Sequence, residues 1–307
     1  MSLEATPATE SVGRGPSAIA ALWMVLGYLV ATAIPAVAGG WPRGASAPLA
    51  HIAGAAIVAW CIWRRSREPD PGLGSGSFDR APSAVEVFAD WLPLIAVALL
   101  YSELPLLIRG TGGTFHDATV QGWERAVFRQ SPAQTLGRTL PPALSGVLHF
   151  GYLSYYALVV VPPLILYLRG RKQAFAWTVS GLVAAFVVCF AAFVAFPVQG
   201  PRYLWPTPPG VPNGLVRSLV LRILAAGSSR GAAFPSSHAA VAVTQSLLSL
   251  RWQPLVGTIV GVLTVFLCVG AVYGGFHYGV DVLAGAGLGA VVAGGTIVLA
   301  RIRGSEQ

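Results

Sequence analysis

FPSSHAAVAV, residues 234–243, puts a proline, two serines and a histidine where a polar loop becomes an apolar run. Pro235 suits the first turn of a helix, and Ser236 and Ser237 are small. The free backbone N–H groups at such a helix start form an anion site, and small residues let the anion approach. His238 then sits within reach of whatever binds. Taken alone, the stretch is an ordinary serine-capped helix start with an interfacial histidine; the rest of the chain changes that reading. The apolar run it opens is one of eight, at roughly 17–38, 46–63, 87–108, 144–168, 174–197, 236–250, 254–274 and 279–300, most of them near the ~20 residues that span a bilayer.

The chain has 307 residues, 54% hydrophobic and only 10% charged, whereas a soluble domain carries about 25% charged residues. The expectation is an all-α fold, a polytopic transmembrane helical bundle. The first run is too long for the apolar part of a signal peptide and its leader is weakly basic, so it reads as a helix. Residues 64–84 are rich in Gly, Ser, Pro and charge and read as a linker. They divide a two-helix membrane extension with its linker, residues 1–84, from a six-helix core, residues 85–307. Within that core, Val120, Trp123, Val127 and Phe128 recur at helical spacing inside 115–138, which suits a helix lying at the membrane interface.

The net charge is +8, and 19 of the 20 basic residues are Arg. They lie mostly between apolar runs, where membrane topology accounts for them. No long basic stretch with interleaved aromatics occurs, which excludes nucleic acid as a partner. "RRSR" at 64–67 and "RGRK" at 169–172 abut helix ends, so both termini are expected in the cytoplasm and the loop 198–235 outside it. The implied location is a bacterial inner or plasma membrane. Cys61, Cys189 and Cys268 all fall inside apolar runs, share no metal-ligand spacing, and read as small packing residues.

Three polar stretches stand at helix ends that this topology puts on one face: FPVQGPRYLWP (196–206), SSRGAAFPSSH (228–238) and YGGFHYGVDVLAG (273–285). Ionisable residues at such places are costly and are functional candidates. His277 and Asp281 are four apart and share a helix face, where a carboxylate fixes the imidazole tautomer and raises its basicity. Arg202, between Pro201 and Tyr203, offers a planar donor fork that suits phosphate. An anion cradle, a cation, two histidines and an orienting acid suit phosphoryl transfer through a covalent phosphohistidine, one histidine attacking phosphorus and the other protonating the leaving alkoxide. No metal cluster and no cofactor is called for.

The order Arg, then P-S-x-H, then H-x3-D resembles the type-2 phosphatidic acid phosphatase superfamily. That resemblance implies a six-helix core, His277 as nucleophile, Asp281 as its partner, His238 as general acid, and Ser236, Ser237 and Arg202 as phosphate ligands. The substrate it implies is a phospholipid or lipid phosphate in the bilayer, with a lipid alcohol as possible acceptor. Two departures matter. The family's first motif, K-x6-R-P, has Ala195 in place of its lysine, and the Ser-Arg pair that opens its third motif is replaced by Gly270 and Ala271. The helix-start amides at Ser236, Ser237 and His238 are therefore expected to hold more of the phosphate charge. Arg230, nearest the second motif, is the first choice for a replacement cation, ahead of Arg217 and Arg222. HDATVQGWERAVF, FPVQGPRY, FPSSHAA and HYGVDVLAG together resemble the inositol phosphorylceramide synthase-like branch, whose members move a phosphoinositol-type head group between lipids. The alternatives are a simple lipid phosphate phosphatase releasing inorganic phosphate, or a non-catalytic transporter or scaffold in which Glu103, His51 and His149 line a path. Gly285 and Gly289 form a G-x-x-x-G that reads as close helix packing.

Overall fold

A computed structural model describes residues 18–40, 46–67 and 83–305. The first helices are α1 (Ala18–Ala31), α2 (Ala33–Gly40), α3 (Ser46–Ser66) and α4 (Ala84–Gly110). Two short ones follow, α5 (Asp117–Phe128) and α6 (Pro132–Thr139), then α7 (Leu144–Leu153), α8 (Tyr155–Leu168) and α9 (Lys172–Ala195). A single turn, α10 (Pro201–Leu204), precedes α11 (Leu215–Gly227). The chain then runs through α12 (Ser237–Trp252), α13 (Pro254–Tyr273) and α14 (Gly279–Ser305). Among the described residues there is no strand, only an isolated bridge between Val198 and Ala232. The fold is an all-α polytopic bundle, and every one of the eight expected apolar runs is helical.

Among the described residues four helices, α4, α9, α13 and α14, are long and apolar enough to cross a membrane, or six if each of two bent pairs is one span. The bends are 48° between α1 and α2 and 51° between α7 and α8. Each falls at a hydroxyl that bonds back to its own helix, a competition that bends helices. Thr32 Oγ1 donates to the Tyr28 carbonyl at 2.8 Å, and Ser154 Oγ to that of Gly151 at 2.6 Å. The outer faces are apolar: Leu255, Ile259, Val262 and Val265 are exposed at helical spacing along α13. Water would penalise such a stripe and lipid does not, so the chain is an integral membrane protein.

Helix α12 is different, because it packs against α8, α9, α13 and α14 and meets protein on most sides. That position permits buried Thr244, Gln245, Ser246 and Ser249. Thr244 Oγ1 donates to the carbonyls of Ala240 at 2.8 Å and Gly289 at 3.1 Å, and Gln245 Nε2 to Ser249 Oγ at 2.7 Å. At the far end of α12, Arg171 donates to the Trp252 carbonyl and Gln253 to that of Pro162.

The N-terminal helices share one apolar core with the others: Leu22, Val25 and Tyr28 of α1 pack with Leu100 of α4 and Phe190 of α9. His51 is buried where α1, α3 and α4 meet, with Nδ1 2.7 Å from Glu103 Oε2 and Nε2 2.9 Å from the Leu29 carbonyl. The stretch read as a linker falls mainly on 68–82, outside the described residues.

Several features differ from expectation. The interfacial segment 115–138 is two helices rather than one, parted after Phe128 where Arg129 takes φ 63°. Helix α11 was not anticipated, and His277, expected on one helix face with Asp281, lies in the bend ahead of α14, from which its ring still reaches Asp281.

Helices α12 and α14 touch backbone to backbone at the two glycines of the G-x-x-x-G. A Cβ on Gly285 would overlap the Ser236 carbonyl oxygen, and one on Gly289 the Ala240 carbonyl oxygen. Nothing lies within 4 Å of a Cβ added to Gly287. Gly289→Leu should therefore lower the melting temperature of the detergent-solubilised protein sharply or prevent its accumulation. Gly287→Ala should melt like the parent chain.

Candidate active site

The three polar stretches are joined by backbone bonds. Val198 N–H donates to the Gly231 carbonyl at 3.0 Å and Ala233 N–H to the Val198 carbonyl at 3.0 Å, pairing the first stretch with the second. Ser236 N–H donates to the Asp281 carbonyl at 2.9 Å, fastening the second to the third.

His277 is oriented by this framework. Its Nδ1 lies 3.1 Å from the Ala233 carbonyl. A carbonyl only accepts, so Nδ1 carries the hydrogen and Nε2 keeps a free lone pair. Asp281 Oδ2 stands 3.4 Å from the same Nδ1 and accepts the Tyr278 N–H at 2.9 Å. Asp281 is 0% exposed, and its Oδ1 has no hydrogen-bond partner.

The His238 ring lies 5.8 Å from the His277 ring, centroid to centroid. Tyr152 and Tyr155 pack on it at 5.0 and 4.2 Å. Its Nε2 is 3.4 Å from the Tyr152 hydroxyl, while Nδ1 is buried without a partner. Ser236 caps α12 by accepting from Ala239 N–H at 3.3 Å. Of the three amides expected to face an anion, that of Ser236 is already bonded to Asp281. Those of Ser237 and His238, in the first turn, have no intrahelical acceptor.

Arg202 is half-buried, and its Nη1 donates to Ser228 Oγ at 2.6 Å and the Leu224 carbonyl at 3.2 Å. Arg230 is exposed; its guanidinium carbon lies 5.2 Å from the centre of the Tyr203 ring and that of Arg202 5.3 Å from it. A cavity of about 260 Å³ is lined by Arg202, Arg217, Gln134, Trp205 and the residues 274–276 that lead into His277. Arg217, from α11, is buried, and burial pulls its pKa below the ordinary arginine value. Among the described residues no group of three or more His, Cys, Asp or Glu side chains converges as a metal site.

Sequence reasoning missed the residues that hold the loops. Asp117 accepts the N–H groups of Gln199 at 3.0 Å and Gly200 at 2.9 Å, just ahead of Arg202. Glu124 accepts those of Gly279 at 3.1 Å and Val280 at 3.0 Å, at the start of α14. A carboxylate there satisfies two orphan donors and faces the positive end of the helix dipole. The signal lay in the spacing: Asp117, Val120 and Glu124 share one face of α5, and that face is buried while Trp123 and Val127 are exposed. His149, read in one alternative as part of a path, is buried on α7, with Nδ1 bonded to the Ser145 carbonyl at 2.7 Å.

Glu124→Ala leaves two buried N–H groups unanswered and should cost about 2–3 kcal/mol, read as a lower melting temperature. Glu124→Gln keeps one acceptor oxygen and should lose less.

Comparison with curated proteins found no match, and neither did comparison with solved structures. The family model described as the PAP2 superfamily matches residues 119–295, more than half of the chain. The match runs from α5 into α14 and takes in Arg202, His238, His277 and Asp281. It supports phosphatase or phosphotransferase chemistry on lipid phosphates, and the chain belongs to the PAP2 superfamily.

Proposed function

We propose that the protein transfers an inositol-phosphate-like head group from one lipid to another through a phosphohistidine on His277. The observation that carries this reading is the orientation of His277: its Nδ1–H is held by the Ala233 carbonyl, Asp281 lies behind it, and Nε2 is free to attack. In the first step Nε2 attacks phosphorus and the phosphorus–oxygen bond to the departing lipid breaks. His238 gives its proton to the leaving alkoxide, which departs as the alcohol. Nδ1 keeps its hydrogen, so the phosphorylated ring is cationic, and the buried Asp281 carboxylate stabilises that charge. In the second step neutral His238 takes the proton of an acceptor hydroxyl, whose oxygen attacks phosphorus and breaks the phosphorus–nitrogen bond. The amides of Ser237 and His238, the hydroxyls of Ser236 and Ser237, and the guanidinium groups of Arg202 and Arg230 hold the phosphate oxygens.

Two things favour a lipid alcohol over water as the acceptor. The quoted motifs resemble the transferase branch, and tyrosine rings cover His238. The arginines that abut helix ends at 64–67 and 169–172 support an extracytoplasmic site with both termini inside.

The test is incubation of the purified enzyme with labelled phospholipids, with and without diacylglycerol or ceramide. The expected result is label on the added acceptor. Inorganic phosphate as the labelled product would make the protein a simple phosphatase. His238→Ala should slow turnover by about 10²–10⁴-fold, and His277→Ala should neither turn over nor form a labelled enzyme. Full activity in the His277 variant would sink the mechanism.

A further inference from the structure

The chain lacks two of the cations usual in its family, with Ala195 and Ala271 at those positions. Arg217 lies outside all three motifs, yet it is 3% exposed. Its Nη1 reaches His149 Nε2 at 3.1 Å and the Gly274 carbonyl at 3.5 Å. Because His149 Nδ1 donates to a carbonyl, Nε2 is the acceptor and the imidazole is neutral. Neither partner carries charge. Arg217 Nε is buried with no partner. The ion pairs among the described residues join other groups, so no carboxylate there neutralises this guanidinium.

Burying a cation without an anion is expensive, and such charges are normally paired. A structural arginine would saturate its donors on carbonyls or a carboxylate. Arg217 instead lines the cavity that Arg202 also lines, against the backbone that leads into His277. An anion in that cavity would supply the missing counter-charge and meet two donor forks.

We propose that this cavity is a phosphate subsite in which Arg217, oriented by His149, acts as a phosphate-binding cation. The ligand is a phosphate group, borne on a lipid head group or free. The assignment rests on reading the His277 site as a centre of phosphoryl transfer. His149 is a positioning residue, since its contact is with the guanidinium.

The test uses the full chain in detergent with inorganic phosphate and a short-chain lipid phosphate as probes. Phosphate should raise the melting temperature of the parent protein. Arg217→Gln should weaken phosphate binding about 10- to 100-fold and abolish the phosphate-induced rise. Its melting temperature without phosphate should not fall, because an uncompensated buried charge has been removed. Arg217→Lys, a charge without the fork, should recover part of the affinity. Arg301→Gln, an equal loss of charge at the far end of α14, should change nothing.

A matching rise in KM for the lipid phosphate supports a head-group subsite. Weakened binding of the free ion alone supports a site for inorganic phosphate. Unchanged affinity for both probes in Arg217→Gln overturns the proposal, as does a lower melting temperature with the phosphate response intact. If His277→Ala keeps full turnover, the proposed chemistry fails by itself, and the phosphate titration of Arg217→Gln still decides the subsite.

Discussion

Everything at the site depends on how closely α12 and α14 cross. Gly285 has no side chain, so the Ser236 backbone can lie directly on the first turns of α14. There Ser236 N–H meets the Asp281 carbonyl. One such bond contributes only about 1 kcal/mol, but it fixes a geometry. His238 is two residues beyond Ser236, and His277 lies in the bend ahead of α14, four residues before Asp281. A wider crossing would part the two imidazoles and draw Ala233 away from His277. The paired loops and the cap supplied by Glu124 keep this crossing from sliding.

What could be read from one sequence divides along physical lines. The membrane helices were legible because lipid demands long apolar runs, and the convergence of the three polar stretches because polar groups at membrane boundaries are costly. The bends at Thr32 and Ser154 were not, since a single back-bonded hydroxyl leaves the hydropathy of a run unchanged. Helix α11 was hidden by its short length and its arginines, although Leu215, Leu219 and Ile223 keep the helical period. The carboxylates of α5 were missed because their partners are remote in sequence. Glu124 answers Gly279 and Val280, and nothing local to HDATVQGWERAVF points there. Hydrophobic spacing picked out Trp123 and Val127, which face outward, whereas the inward face carries acids.

The electrostatic arrangement follows one rule. Asp117, Glu124 and Asp281 are all buried, and backbone N–H groups answer each of them. No arginine is committed to a carboxylate at the site. Arg202 is held by a hydroxyl and a carbonyl, and Arg217 by an imidazole and a carbonyl. Asp117 and Glu124 shape loops, and on the proposed reading the guanidinium groups keep their charge for phosphate.

The enclosure of His238 has a kinetic consequence. With Tyr152 and Tyr155 packed on the ring and Nδ1 sealed, only the Nε2 edge, beside the Tyr152 hydroxyl, is left to a reacting group. On the proposed mechanism, the alcohol that departs and the alcohol that arrives must use the same doorway, one after the other. The first product then competes with the second substrate for a single berth.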